Sequence, residues 1–270
     1  MITVLNQEMT DYLQAKEYEY RAHKFLIGFA NNHNLTKSPV YQQWLEECQE
    51  ACVQFECARN TLNELYPDGW RTPEKEDVET FANQLIRLFP NKSRDPMHIG
   101  GAHCKDVTIQ VTEECNMACT YCYQGHKTCN SMDFDTAKKF IDWLLEGKDP
   151  YINADNSDGI ILDFIGGEPF LKIGLIRKTA EYFVTRAFEL HHRFATRFMF
   201  SITSNGLLYF EPEVQEFFDE YQIHTSFSIT IDGNKQLHDT CRLDKGGYGT
   251  YDRAIAAVDH CLLYTSPSPR

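Results

Sequence analysis

Long apolar runs are missing from this 270-residue sequence. Ionised side chains interrupt every apolar stretch, so no segment approaches the length of a transmembrane helix. The amino terminus, MITVLNQEMTDYLQAKEYEY, lacks a basic stretch leading into an apolar one and so does not have the form of a secretory signal. Positive charge is also scarce: 26 Lys and Arg face 39 Asp and Glu, a net charge of −13. An acidic surface repels phosphate backbones, which argues against nucleic acid as the main partner. Proline and glycine, at 10 and 15 residues, are too few for a collagen-like or low-complexity chain. The 42% apolar and 13% aromatic content is that of a globular protein. A cytoplasmic protein with no membrane partner is expected.

Cysteine, in contrast, is abundant. Ten are present, at 48, 52, 57, 104, 115, 119, 122, 129, 241 and 261. Without a secretory signal, and in a chain too long for a small disulfide scaffold, thiolates that bind metal are a better expectation than disulfides. Three of them fall within eight residues, Cys115-Asn-Met-Ala-Cys119-Thr-Tyr-Cys122.

Residues 1–100 have helical patterning. Tyr12, Ala15, Tyr18, Ala22, Phe25, Leu26 and Phe29 recur at helix spacing. A second helix is expected to start at Ser38-Pro39, a third at Thr72-Pro73, ending before Pro90. Cys48 and Cys52 lie on the apolar stripe of the second helix and suit small core residues better than a metal site. A polar connector over 91–105 marks a domain boundary. The rhythm then becomes strand, loop, helix. Strands are expected over 107–111, 160–165, 197–203 and 225–231, with helices over 134–145, 171–190, 212–221 and from 251 onward. Such alternation implies a parallel sheet covered by helices, with chemistry in the loops after the strand ends. The closing string CLLYTSPSPR resembles translated adapter sequence, so residues 261–270 are expected to be non-native and the natural sequence to break off near His260.

Three thiolates at this spacing can converge from one loop on three corners of an iron–sulfur cubane, leaving the fourth iron open to a small-molecule chelator. Zinc is the rival, since Cys115, Cys119, Cys122 and His126, or Cys129 as a fourth ligand, form a tetrahedral donor set. A purely structural cysteine cluster is the third alternative.

Cys115-x3-Cys119-x2-Cys122 after one strand and Gly166-Gly167-Glu168-Pro169 after the next resemble the radical S-adenosylmethionine (SAM) superfamily. Ser204-Asn205-Gly206, the segment Ser228 to Gly233, His238-Asp239-x-x-Arg242 and Gly246 to Tyr251 resemble its branch of anaerobic sulfatase-maturating enzymes and SPASM-type peptide maturases. The likeness covers about residues 105–260. It implies an α/β fold, a partial (β/α)6 barrel of which about four units are present, preceded by a mostly helical region. It implies a [4Fe–4S] cluster on Cys115, Cys119 and Cys122, with SAM on the open iron. Tyr121 would pack beside the adenine. Gly166, Gly167, Glu168 and Pro169 would hold the methionyl end of SAM, the glycines by letting backbone approach the ligand and Glu168 by accepting from the amine. Arg242 would pair with the SAM carboxylate, and Ser204, Asn205, Ser228 and Asp232 would touch SAM or substrate, although strand-end and turn roles explain these four equally well. The implied activity is reductive cleavage of SAM to a 5′-deoxyadenosyl radical that modifies a peptide or protein. A peptide maturase, a sulfatase maturase forming formylglycine and a non-catalytic zinc module are the three outcomes weighed. A flavodoxin- or ferredoxin-type electron donor is expected.

Overall fold

A computed structural model of the chain describes residues 2–3, 7–65, 70–71, 104–125, 127–149, 151–152 and 157–265. They fall into two compact units, residues 1–102 and 103–270. In the first, strand β1 (Ile2–Thr3) pairs in parallel with β2 (Trp70–Arg71), and helices α1 (Gln7–Asn32) and α2 (Tyr41–Leu65) pack on one another. Ala22, Leu26, Phe29 and Ala30 of α1 are buried, as are Trp44 and Ala51 of α2. Helix α2 begins two residues later than Ser38-Pro39 predicts. Ser38 closes a tight turn over Leu35–Lys37 and is itself extended, as a residue before proline prefers, so its carbonyl rather than its side chain receives the Tyr41 N–H. The helix expected from Thr72 and the connector as far as residue 103 lie outside the described residues.

The second unit is a sheet with helices. Strands β3 (Cys104–Thr112), β4 (Gly159–Gly166), β5 (Phe198–Ser204) and β6 (Thr225–Ile229) form one parallel sheet in that order. Helices α3 (Phe134–Leu145), α4 (Ile173–Glu189) and α5 (Pro212–Glu220) connect them, and α6 (Lys235–Cys241) and α7 (Tyr251–Thr265) follow. All four expected strands are present, and α3 has the expected bounds because Asp133 caps it by accepting the Thr136 N–H. Helix α7 runs through Thr265, into the segment expected to be non-native, and residues 266–270 lie outside the described set.

The two sheet faces differ. Val107, Ile109, Leu162, Phe164, Phe198, Phe200 and Ile202 point one way and are buried. Phe183 of α4 and Phe217 of α5 both pack against Phe200 on that face, at ring separations of 6.2 and 6.0 Å. Each such buried aromatic contributes about 1.5–3 kcal/mol through burial alone. The alternate residues, Thr108, Asp163, Ser201 and Ser226, run in register across all four strands and are half-buried or exposed. A doubly wound sheet would bury both faces. Helices on one side with a polar row on the other fit a barrel-type sheet, and the loops at the C-terminal strand ends hold the predicted motifs.

Candidate cluster-binding site

The cysteine loop leaves β3 and is closed at its base. Thr112 bridges to Ser131, Glu113 N–H bonds the Asn130 carbonyl at 2.9 Å, and Met132 N–H returns to Val111 O at 3.0 Å. Cys115 is buried while Cys119 and Cys122 are half-buried. The Met117 N–H points at Cys115 Sγ at 3.4 Å. Cys122 N–H closes a turn on the Cys119 carbonyl, and Lys127 Nζ holds the Met117 carbonyl at 2.8 Å.

A second segment lies alongside. Ala118 N–H bonds Leu243 O at 2.8 Å and Thr120 N–H bonds Cys241 O at 2.9 Å, so residues 118–120 form a short antiparallel ladder with 241–243. Cys119 and Arg242 are therefore the central residues of facing segments. Burial raises the Cys119 thiol, Arg242 and Lys127 act to lower it, and the neighbouring Cys115 and Cys122 add to the rise. Metal ligation requires the thiolate, and the two cations partly offset the cost of gathering three of them.

Among the described residues no three His, Cys, Asp or Glu side chains are grouped closely enough to hold one metal ion. A single zinc draws its sulfurs to about 2.3 Å from one centre, whereas a cubane takes each cysteine on a different iron. His126, the fourth ligand of the zinc alternative, lies outside the described residues, and Cys129 is exposed. Three soft donors on one closed loop, one already receiving an N–H, with two cations beside them, fit an iron–sulfur cluster.

The glycines at the end of β4 lie against the backbone of the cysteine loop. A Cβ on Gly167 would stand 2.4 Å from the Glu114 carbonyl oxygen, and one on Gly166 would stand 2.8 Å from that of Thr112. Gly167 N–H bonds Thr112 O and Glu168 N–H bonds Glu114 O. Both glycines are required because this loop lies directly on the start of the cysteine loop. Pro169 is buried and opens the turn into α4.

Glu168, expected to accept from the SAM amine, also meets protein donors. It is 1% exposed, and its carboxylate faces inward. Oε1 accepts from Ser204 Oγ at 2.8 Å and from Phe170 N–H at 3.2 Å, and Oε2 accepts from Asn205 N–H at 2.9 Å. Burial pushes its carboxyl up against the pull of those three donors. Asn205 Nδ2 in turn donates to Asn116 Oδ1 at 2.8 Å, next to Cys115. Glu168, Ser204 and Asn205 thus join the loops after β4 and β5 to the cysteine loop. Ser228 sits apart from them, exposed on the polar sheet face in register with Thr203.

Tyr121, Asp232 and Arg242 meet at the mouth. The Tyr121 hydroxyl donates to Asp232 Oδ2, which also accepts from Arg242 Nε at 3.0 Å. The Arg242 guanidinium lies 5.6 Å from the Tyr121 ring centroid. Burial and the Asp232 carboxylate push the Tyr121 hydroxyl up to about 12. Burial also acts to raise Asp232, but the Tyr121 hydrogen bond and the Arg242 charge outweigh it and hold the carboxyl below the usual range. Both contacts fall on the one Asp232 oxygen, Oδ2. Arg242 spends Nε on it, and a guanidinium has further donors on its terminal nitrogens.

The sequence profile of the family described as the 4Fe-4S single cluster domain matches residues 101–245, more than half of the chain. The chain belongs to this family and, by its motif set, to the radical SAM superfamily. It is 30% identical over 152 residues to the serine-type anaerobic sulfatase-maturating enzyme of Klebsiella aerogenes, covering 54% of this chain and 33% of that one. It is 23% identical over 164 residues to the radical SAM cyclopropyl synthase TigE of Paramaledivibacter caminithermalis, covering 53% and 32%. An uncharacterized protein of Methanocaldococcus jannaschii is 44% identical over 78 residues, 29% of this chain and 24% of that one. The solved structure described as native anSMEcpe with bound AdoMet and Kp18Cys peptide overlays 60% of this chain and 41% of its own, with a TM-score of 0.49 and 21% identity. The chain spans a quarter to about half the length of the curated relatives it matches.

Proposed function

We propose that this chain carries the cluster- and SAM-binding part of a radical SAM enzyme that modifies a peptide or protein. The observation that carries this reading is the ladder between residues 118–120 and 241–243, which sets Arg242 against a loop of three cysteines. Cys115, Cys119 and Cys122 hold the cluster, and Arg242 receives the SAM carboxylate through its terminal nitrogens. The exposed ring of Tyr121, braced by Asp232, gives the nucleoside a flat surface beside the last cysteine. Glu168 keeps the loops after β4 and β5 in place from behind.

The chemistry these groups supply when bound is one-electron cleavage of SAM to methionine and a 5′-deoxyadenosyl radical, which takes hydrogen from a substrate carbon. The chain itself orients the ligand and shields it from water. A flavodoxin- or ferredoxin-type donor supplies the electron. Peptide maturation is preferred to sulfatase maturation because the two long helices within residues 7–65 offer room for a recognition module; a relative named as a sulfatase-maturating enzyme supports a protein substrate.

The test is anaerobic reconstitution with iron and sulfide, followed by dithionite and SAM. About four irons and four sulfides per chain and formation of 5′-deoxyadenosine are expected. About one zinc per chain without sulfide would support the zinc module instead. A loaded cluster that yields no 5′-deoxyadenosine would refute the proposal.

A further inference from the structure

Behind the Asp232–Arg242 pair lies a buried hydrogen-bond relay that the cluster and SAM assignments leave unexplained. His238, on α6, is 1% exposed, and so is Thr250. The Asp232 N–H points at His238 Nδ1 at 3.3 Å, His238 Nε2 lies 3.1 Å from Thr250 Oγ1, and Thr250 Oγ1 donates to the Arg242 carbonyl at 2.8 Å. The directions are forced. A backbone N–H can only donate, so Nδ1 carries no proton. The imidazole proton therefore sits on Nε2 and is donated to Thr250, whose hydroxyl passes its own proton to the carbonyl. Burial and the Arg242 charge hold the ring below the ordinary histidine range, against the pull of Asp232 and Asp239.

The relay joins the main chains of the two residues whose side chains form the ion pair. Its frame is firm on both sides. Arg242 N–H closes the end of α6 on the His238 carbonyl at 2.7 Å. Asp239 Oδ1 accepts the Tyr251 N–H at 2.9 Å, and a Cβ on Gly249 would lie 2.3 Å from Asp239 Cγ. Arg242 is thus fixed by the relay at its carbonyl, by Asp232 at Nε and by the ladder on both flanking carbonyls.

We propose that His238 and Thr250 are positioning residues for SAM: their relay fixes Asp232 and Arg242 relative to each other, so that the guanidinium meets the SAM carboxylate at the cysteine loop, an inference that rests on the SAM reading of the same site. Neither residue touches the ligand. Asp232 then serves as the brace for Arg242 and Tyr121 instead of contacting SAM.

The test uses the full chain with its cluster loaded and two nucleosides that cannot be reductively cleaved to the radical. S-adenosylhomocysteine keeps the carboxylate, and 5′-methylthioadenosine lacks it. The variants are Thr250→Val, which breaks the relay with little change of shape, and His238→Asn, which keeps an acceptor for the Asp232 N–H but does not reach Thr250. Both are expected to weaken S-adenosylhomocysteine binding about tenfold, with a distinctly smaller loss for methylthioadenosine, which meets only the Tyr121 ring that Asp232 braces, and with iron and sulfide content unchanged. Thr250→Ser, which keeps the hydroxyl, should restore wild-type binding. Equal weakening of both nucleosides, weakening of neither, or loss of iron from both variants would overturn the proposal. A cluster-loaded wild type that binds neither SAM nor S-adenosylhomocysteine would instead overturn the SAM reading on which it rests.

Discussion

The chain carries two close sets of cysteines, and the difference between them is instructive. Cys48 and Cys52 stand one helical turn apart on α2, with side chains projecting to the same side. Burial raises the Cys48 thiol, Cys52 adds to the rise, and Lys24 opposes it. In a continuous helix the backbone N–H groups are committed to carbonyls four residues back, so they are not available to support a thiolate. Cys115, Cys119 and Cys122 sit on a loop whose backbone is free to turn, and there an N–H does meet a sulfur. Arg242 and Lys127 both act on Cys119. Spacing alone makes both sets candidates. The irregular backbone, Lys127 on the same loop and Arg242 brought by a remote segment single out the second.

The largest effect expected from breaking this contrast is at the loop. Cys119→Ala should abolish cluster retention, read as iron and sulfide per chain, whereas Cys48→Ala and Cys52→Ala together should leave both unchanged. Iron lost from the α2 double variant would show that the contrast is wrong.

Glu168→Ala should come next. It strands three donors that now meet one buried carboxylate, at a cost of about 3 kcal/mol or more in denaturant unfolding. Cluster content should fall with it, because Asn205 reaches Asn116 beside Cys115. Normal stability together with normal iron content would remove the proposed tie between the loops.

The pH dependence of the second unit sharpens the comparison further. His224 is fully buried, its Nδ1 is 3.0 Å from the Phe198 carbonyl oxygen, and burial lowers it to about 4. An unfolded histidine takes up its proton near pH 6.5, so between pH 6.5 and 4 the unfolded chain binds more protons than the folded one. Stability should therefore be complete above that window and fall by up to about 3 kcal/mol as pH drops through it. His224→Gln should flatten that slope in thermal melts, and an unchanged slope would assign the acid sensitivity to other groups.

The smallest effect belongs to α2. Cys48→Ala should change stability by less than about 1 kcal/mol, since a half-buried thiol gives up little on truncation. A larger loss in chemical denaturation would give that cysteine a packing role beyond its half-buried position.

Much of the second unit was legible along the chain. Alternation in VTIQV and the apolar IILDFI locate β3 and β4, and Asp133 before an amphipathic run locates α3. Helix α6 was missed. Its seven residues are too few for a periodic stripe, and its signal is the Asn234 side chain capping Leu237 N–H just after the Gly233 turn. The site was legible as a set of residues but not as a set of partners. Glu168, Asp232, Ser204 and Asn205 are polar groups beside the expected ligand position, and in the folded chain they meet one another or Arg242. A buried carboxylate must find donors, and which donors are nearest depends on how three separate loops converge.

The order of strands and helices, the three-cysteine loop and the glycines after β4 follow from local residue pattern, because hydrophobic period, turn chemistry and ligand type act over a few neighbours. That Arg242 faces Cys119 across 123 positions, and that a buried imidazole links its carbonyl to the Asp232 amide, was settled only when the chain closed on itself. Hydrogen bonds are short and directional, so those partnerships exist only where tertiary packing brings donor and acceptor within about 3 Å.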